Sequence, residues 1–244
     1  RAEDKGDPAL VNGSKTWTSY ANKSDWMFCL VRTDFEVPKH QGISFLLIDM
    51  AHPGVTTHPI QLISGNSPFC ETYFDDVEVP KEILVGDLNK GWEIAKYLLT
   101  HERQMIGGFG LLRAGGESLG QTALAAIGDK QGRLADDGLR ADITAFEVDE
   151  MGFALTVERV IDEAKAGQGS GAASSMLKYY GTELNKDRYE LLMSVAGGDA
   201  LAWGEQDELT LAKQWLRTKG NSIEGGTSEI QLNIIAKRIL VLPS

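Results

Sequence analysis

The pattern of hydrophobic and polar positions changes period once along the chain, near residue 90. Before that point the apolar residues come in short runs rich in β-branched and aromatic side chains. "ALVNGSKTWTS", "DWMFCLVRTD", "GISFLLIDM", "GVTTHPIQL" and "CETYFDDVEVP" are separated by Gly, Pro and Asp. Runs of this length and spacing predict an antiparallel sheet or barrel. Asn12-Gly13 stands between apolar flanks and predicts a hairpin turn. Pro80 and Gly86 close the β region.

From Gly91 the spacing is helical. "GWEIAKYLLTHERQMIGGFGLLRAGGESLGQTALAAIG" predicts one long helix, weakened in its middle by glycines. In a second helix Ile143, Phe146, Met151, Ala154, Val157 and Ile161 form the expected buried face. A third helix, "GAASSMLKYYGTELNKDRYELLMSVAGG", stops at Gly197-Gly198, and "DELTLAKQWLRTKG" ends at Gly220. The last, "TSEIQLNIIAKRILVL", opens with Ser228-x-x-Gln231, which fits a capping box. The predicted fold class is therefore α+β. A partial antiparallel β-domain over residues 1–88 is followed by an antiparallel bundle of four or five helices over residues 89–244. The chain begins at Arg1 in what reads as the middle of a sheet, which predicts a C-terminal portion of a longer polypeptide.

Composition narrows the partners. A net charge of −11 argues against nucleic acid and anionic membrane, because both select basic surfaces. It leaves room for a local basic pocket. Two cysteines without a CxxC point to a reducing, cytoplasmic compartment. No apolar run approaches the ~20 residues of a membrane span. The four histidines are scattered, and "HER" at 101–103 lacks the second His of a zinc helix, so no metal site is expected. Neither a GxSxG elbow nor a phosphate loop is present.

Three stretches carry a resemblance when taken together: "KTWTSYANKSDWMFCLVRTD", "FDDVEVPKEILVGDLNKGWEIAKYLLTHER" and "IEGGTSEIQLNIIAKRILVLP". In this order and spacing they resemble the C-terminal two-thirds of an acyl-CoA dehydrogenase. The resemblance implies FAD, a middle β-domain and a C-terminal four-helix bundle, without the N-terminal helical domain and the first β-domain strands. It implies oxidation of an acyl-CoA thioester to the trans-2-enoyl-CoA in bacterial fatty acid and lipid degradation. A carboxylate takes the α-proton and a hydride passes from the β-carbon to flavin N5. An electron-transfer flavoprotein would be the acceptor, and the assembly a homo- or heterotetramer built as a dimer of dimers. A flavin oxidase of the same fold, or a non-catalytic FAD-binding subunit of a heteromer, is the alternative.

The family draws its base from one of two places. One is the residue before Gly-Thr at the start of the last helix. Aligned on Gly226-Thr227 that position is Gly225, which has no side chain, while Glu224 lies one residue earlier. The other is a Glu directly before an Arg in the first long helix, matched by Glu102-Arg103. Helical spacing supports Glu102 independently, since Ala95, Leu98, Leu99, Met105, Ile106 and Phe109 share its face. A carboxylate on an apolar stripe needs a reason, because an unpaired buried charge is expensive. An ion pair with an Arg of another helix is the structural explanation, and proton abstraction the functional one. Glu102 is thus the expected catalytic residue, with Glu224 as the alternative. Arg103 and Phe109 would contact the CoA and the acyl chain.

For the cofactor, Trp17-Thr18-Ser19 matches the family's Trp-x-Thr, so Trp17 would pack on the isoalloxazine and Ser19 would replace the Thr hydroxyl. Gly197-Gly198 would approach the dinucleotide of a neighbouring subunit. Thr227 and Glu229, at the start of the last helix, match FAD-contacting positions, and exposed amides there favour phosphate. One departure stands out. Where most members carry Arg-x-x-Phe-Gly, this chain has "DKQGRLADDGLRAD". That removes the family's cross-subunit arginine or assigns it to an asymmetric partner chain.

Overall fold

The computed structural model describes residues 1–4, 9–112, 118–167, 173–204 and 210–243, with the side chains of residues 100 and 103–112 excepted. The chain divides into two compact units, Arg1–Leu99 and Thr100–Ser244.

The first unit is built from β1 (Ala2–Asp4), β2 (Ala9–Ser19), β3 (Trp26–Arg32), β4 (Ile43–Asp49), β5 (Val55–Ile60), β6 (Phe69–Val79) and β7 (Leu84–Val85). They form two antiparallel sheets, of order β1-β2-β6-β5 and β3-β4-β7. Alternate residues of both sheets fill one core, with Val11, Cys29, Val31, Leu46, Ile48 and Phe74 among them. Pro59 sits on β5, an edge strand, where its missing N–H leaves no gap inside a sheet.

Asn12-Gly13 is not a hairpin turn, because β2 runs unbroken through it for 11 residues. The register passes from Val11↔Val77 to Gly13↔Phe74, so Asp75 and Asp76 on β6 together oppose Asn12. Asn12 closes this bulge by donating its amide to Asp76 Oδ1 (2.8 Å) and accepting the Asp76 N–H on its own Oδ1 (2.9 Å). The bulge also shifts the phase of β6. Cys70, Thr72 and Phe74 are buried before it, Val77 and Val79 after it.

Helix α1 (Gly91–Leu112) starts where a Cβ on Gly91 would fall 2.5 Å from backbone atoms of Ser44 and Phe45. The expected single helix is two. A new helix, α2 (Leu119–Ile127), begins at a capping box in which Ser118 Oγ accepts the Gln121 N–H and the Gln121 side chain accepts the Ser118 N–H. The second unit continues with a hairpin of β8 (Asp129–Lys130) and β9 (Arg133–Leu134), then α3 (Asp137–Lys165), α4 (Ala173–Ala196), α5 (Leu211–Thr218) and α6 (Ser228–Arg238). Its core joins Ile143, Phe146, Phe153, Val157 and Val160 of α3 to residues of α2 and α4. Met151 and Ile161, expected in that face, are exposed. Ile161 lies one residue past buried Val160, about 100° round the helix, and Met151 lies two residues before buried Phe153, about 200° round it. Among the described residues no helix is long and apolar enough to cross a membrane.

Candidate cofactor and active site

At the end of β2 the register jumps from Lys15↔Thr72 to Thr18↔Cys70, so Thr16 and Trp17 together oppose Glu71. Trp17 takes the bulge's left-handed conformation, with φ 64°. That region is a clear outlier for a bulky residue and costs about 1–2 kcal/mol. The residue is 60% exposed, and its ring meets Phe69 edge-on at 5.9 Å. Ser19, two residues on, is exposed as well, while Thr18 between them turns inward to the Cys70 carbonyl and the Thr72 hydroxyl. A strained backbone that presents a flat aromatic surface to the outside fits a residue made to be covered by another planar group. A cavity of about 520 Å³ opens elsewhere in this unit, and Trp17 and Ser19 do not border it.

In the second unit the approach to α6 is tied down from α4. Lys178 is fully buried and donates to the Asn221 carbonyl (3.0 Å). Burial lowers its pKa, against the opposing pull of Glu224 and Glu183. About two turns further along α4, Asn185 donates to Asn221 Oδ1 (2.8 Å), and Lys186 bridges Glu183 Oε2 and Ser222 Oγ, each at 2.7 Å. Glu183 also accepts from Ser228 (3.0 Å). Burial pushes the Glu183 carboxyl up, but hydrogen bonds from Lys186, Ser228 and Ser222 outweigh it and hold the group below its usual value.

Glu224 belongs to this network. Its Oε2 accepts from Arg217 (2.8 Å) and its Oε1 from Asn221. One oxygen is therefore engaged by α5 and the other by the turn that precedes α6. Gly225 and Gly226 follow with φ 65° and 98°, and a Cβ on Gly226 would fall 2.5 Å from Gln231 Nε2. Gln231 is fully buried and donates to the Gly225 carbonyl (2.8 Å), while its Oε1 has no partner among the described residues.

The capping box expected at Ser228 does not form. Thr227 is the cap, accepting the Ile230 N–H on its hydroxyl (3.3 Å), and Gln231 is turned to Gly225 instead. Glu229 is exposed and its carboxylate is held below its usual pKa by its own backbone N–H and by Thr227. A carboxylate already drawn to the start of this helix competes with any other anion for it.

Gly197 and Gly198 lie in a 3-10 turn after α4, and a Cβ at either would meet open space. Gly197 has φ 57°, so its backbone conformation is what calls for glycine. Glu102 is half-buried on α1. The side chains of Arg103 and Phe109 lie outside the described residues. The segment that replaces Arg-x-x-Phe-Gly is the β8–β9 hairpin, turned by Gln131 and Gly132 at φ 58° and 73°.

The family described as acyl-CoA dehydrogenase, middle domain, matches residues 1–77, and that described as acyl-CoA dehydrogenase, C-terminal domain, matches residues 89–240. The chain belongs to the acyl-CoA dehydrogenase family. It is 37% identical to the acyl-CoA dehydrogenase FadE34 of Mycobacterium tuberculosis, over 96% of this chain and 31% of that protein. Acyl-CoA dehydrogenase IpdE1 of the same organism is 33% identical over 99% of this chain and 62% of its own length. The solved Tcur3481-Tcur3483 steroid ACAD superposes with a TM-score of 0.88 at 28% identity, covering all of this chain and 63% of that one. The chain thus spans less than two-thirds of the relatives it matches. The α+β fold, an antiparallel β region followed by helices, is that of this acyl-CoA dehydrogenase neighbour.

Within this acyl-CoA dehydrogenase chain, Trp17 and Ser19 come together at one strand end, and Thr227 and Glu229 at one helix start. Glu224 is drawn into the α4 network. Lys178 and Thr18 emerge only from the three-dimensional contacts. A lysine in a helix and a threonine in a strand carry no local signal of burial.

Proposed function

We propose that this chain is part of an FAD-dependent acyl-CoA dehydrogenase that converts an acyl-CoA thioester to its trans-2-enoyl-CoA, with Glu102 as the base. The observation that carries the reading is Trp17, strained and exposed beside Ser19. Trp17 would pack on the flavin ring and the Ser19 hydroxyl would hydrogen-bond beside it. Thr227, Glu229 and the Gly197-Gly198 turn would hold the dinucleotide portion, and the open space at Gly197 and Gly198 suits such a guest. Bound FAD would supply the two-electron acceptor for the Cβ–H pair. Glu102 would take the α-proton on its carboxylate as the Cα–H electrons move into the new double bond. Arg103 and Phe109 are assigned to the CoA and acyl group, an electron-transfer flavoprotein to reoxidation, and a dimer-of-dimers assembly and the cytoplasm to the whole.

The test is direct. The purified full-length protein should be yellow and should bleach anaerobically with one member of a panel of straight-chain, branched and steroid side-chain acyl-CoA thioesters. The last class is included because one relative is described as a steroid ACAD. Glu102→Gln should keep the colour and slow bleaching by about 10²-fold or more. Undiminished bleaching in that variant removes Glu102 as base.

A second reading is favoured by Gly225, which leaves the family's alternative base position without a side chain while Glu224 is engaged by Arg217 and Asn221. In that reading the chain is a non-catalytic, FAD-binding subunit of a heteromer. A yellow protein that no thioester bleaches, until a second subunit is added, selects it.

A further inference from the structure

Trp17 is held in a conformation that its own side chain disfavours, so something must fix it. The bulge alone does not, since an extra residue in a strand can relax by slipping the register. The fixing contact is one residue on. Thr18 Oγ1 donates to the Cys70 carbonyl at 2.8 Å and lies 2.7 Å from Thr72 Oγ1. Thr18 has one hydroxyl proton, and the carbonyl takes it, so the Thr72 hydroxyl donates to Thr18. Cys70 and Thr72 are both fully buried. Sliding β2 by a residue would leave their polar groups unsatisfied in the core, which is the costlier state. Thr18 is thereby pinned inward, and the residues on either side of it are turned out.

Resting on the flavoprotein reading above, we propose that Thr18 is a positioning residue for the cofactor. Its paired hydrogen bonds to β6 lock the bulge that presents the Trp17 indole and the Ser19 hydroxyl. Thr18 touches no ligand itself. It acts by keeping the indole in place before FAD arrives, so that binding need not order it.

The test uses the full-length protein labelled with 5-fluorotryptophan, the Trp17 resonance being assigned by its loss in Trp17→Phe. Thr18→Val keeps the side-chain shape and removes the hydroxyl. In the cofactor-free protein the Trp17 fluorine resonance should shift or broaden, while the other four tryptophans stay in place. FAD should bind about tenfold more weakly, the scale of one lost ordering contact. Thr18→Ser should restore both. Should Thr18→Val fail to fold, Thr72→Val removes the second hydrogen bond alone and should move the same resonance in the same direction. An unchanged Trp17 resonance overturns the proposal, and so does a displaced resonance with undiminished FAD affinity. Failure of the wild-type protein to bind FAD sinks the flavoprotein reading and the positioning role with it. The resonance then still reports separately whether Thr18 sets the Trp17 conformation.

Discussion

The ammonium of Lys178, fully buried on α4, donates at 3.0 Å to the carbonyl of Asn221 in the turn that leads into α6. A cation in the core is tolerated here because Glu224 and Glu183 lie close enough to oppose the desolvation that lowers its pKa. The sign of the pH dependence follows. The folded pKa lies below the unfolded value, so between the two the unfolded chain binds more protons and stability rises with pH. Urea unfolding from neutral pH toward 10.5 should show this gain in the wild type and lose it in Lys178→Met. At neutral pH, Lys178→Ala should cost about 1–3 kcal/mol, since it leaves the Asn221 carbonyl buried without a donor. Equal pH profiles in wild type and Lys178→Met would contradict this account.

Glu224 holds the same turn from the other side. Its Arg217 partner is 35% exposed and Glu224 itself 29%, so solvent screens the pair and its worth is about 1 kcal/mol. Glu224→Gln should lower the melting temperature by about 2–4 °C for a chain of this size. It should leave flavin bleaching by the substrate intact. A loss of bleaching comparable to that of Glu102→Gln would return the base to Glu224.

On the proposed reading, Trp17 separates stability from cofactor binding. Replacing it with Gly relieves the left-handed strain, and the greater freedom of Gly in the unfolded chain offsets roughly that gain. Trp17→Gly should therefore unfold within about 1 kcal/mol of wild type by urea titration. It should nonetheless retain much less FAD through gel filtration. A variant that keeps its flavin would show that the exposed indole has another use.

The sequence is most legible where period and composition act locally. The β-rich runs become strands and the helical spacing becomes helices, because each depends on neighbours within a few residues. It misleads where the partner is remote. Asn12-Gly13 carries the composition of a turn, but Asn12 is satisfied across the sheet by Asp76, 64 residues away. Ser228-x-x-Gln231 and Ser118-x-x-Gln121 have the same capping signature. Only the second forms, because Gln231 is buried and turned to the Gly225 carbonyl, whereas the Gln121 side chain accepts the Ser118 N–H. The candidate site divides in the same way. Trp17, Ser19 and Thr227 are found through short motifs, while Thr18 and Lys178 gain their roles from Cys70 and Asn221, 52 and 43 residues away.

Gly226 offers the sharpest steric test. Its φ of 98° is strained for any side chain, and a Cβ there would sit 2.5 Å from Gln231 Nε2. Gln231 is a flexible residue elsewhere, but here it is fully buried and hydrogen-bonded, so it has little room to withdraw. Gly226→Ala should cost about 1–3 kcal/mol from backbone conformation, with the clash added to it. Gln231→Ala removes the clashing amide and also releases the Gly225 carbonyl. In the double variant the costs should therefore sum to less than the two single costs, with a coupling of about 0.5–3 kcal/mol. Strict additivity in denaturant unfolding would mean that the α6 start relaxes away from Gln231, and that Gly226 is required by its backbone conformation alone.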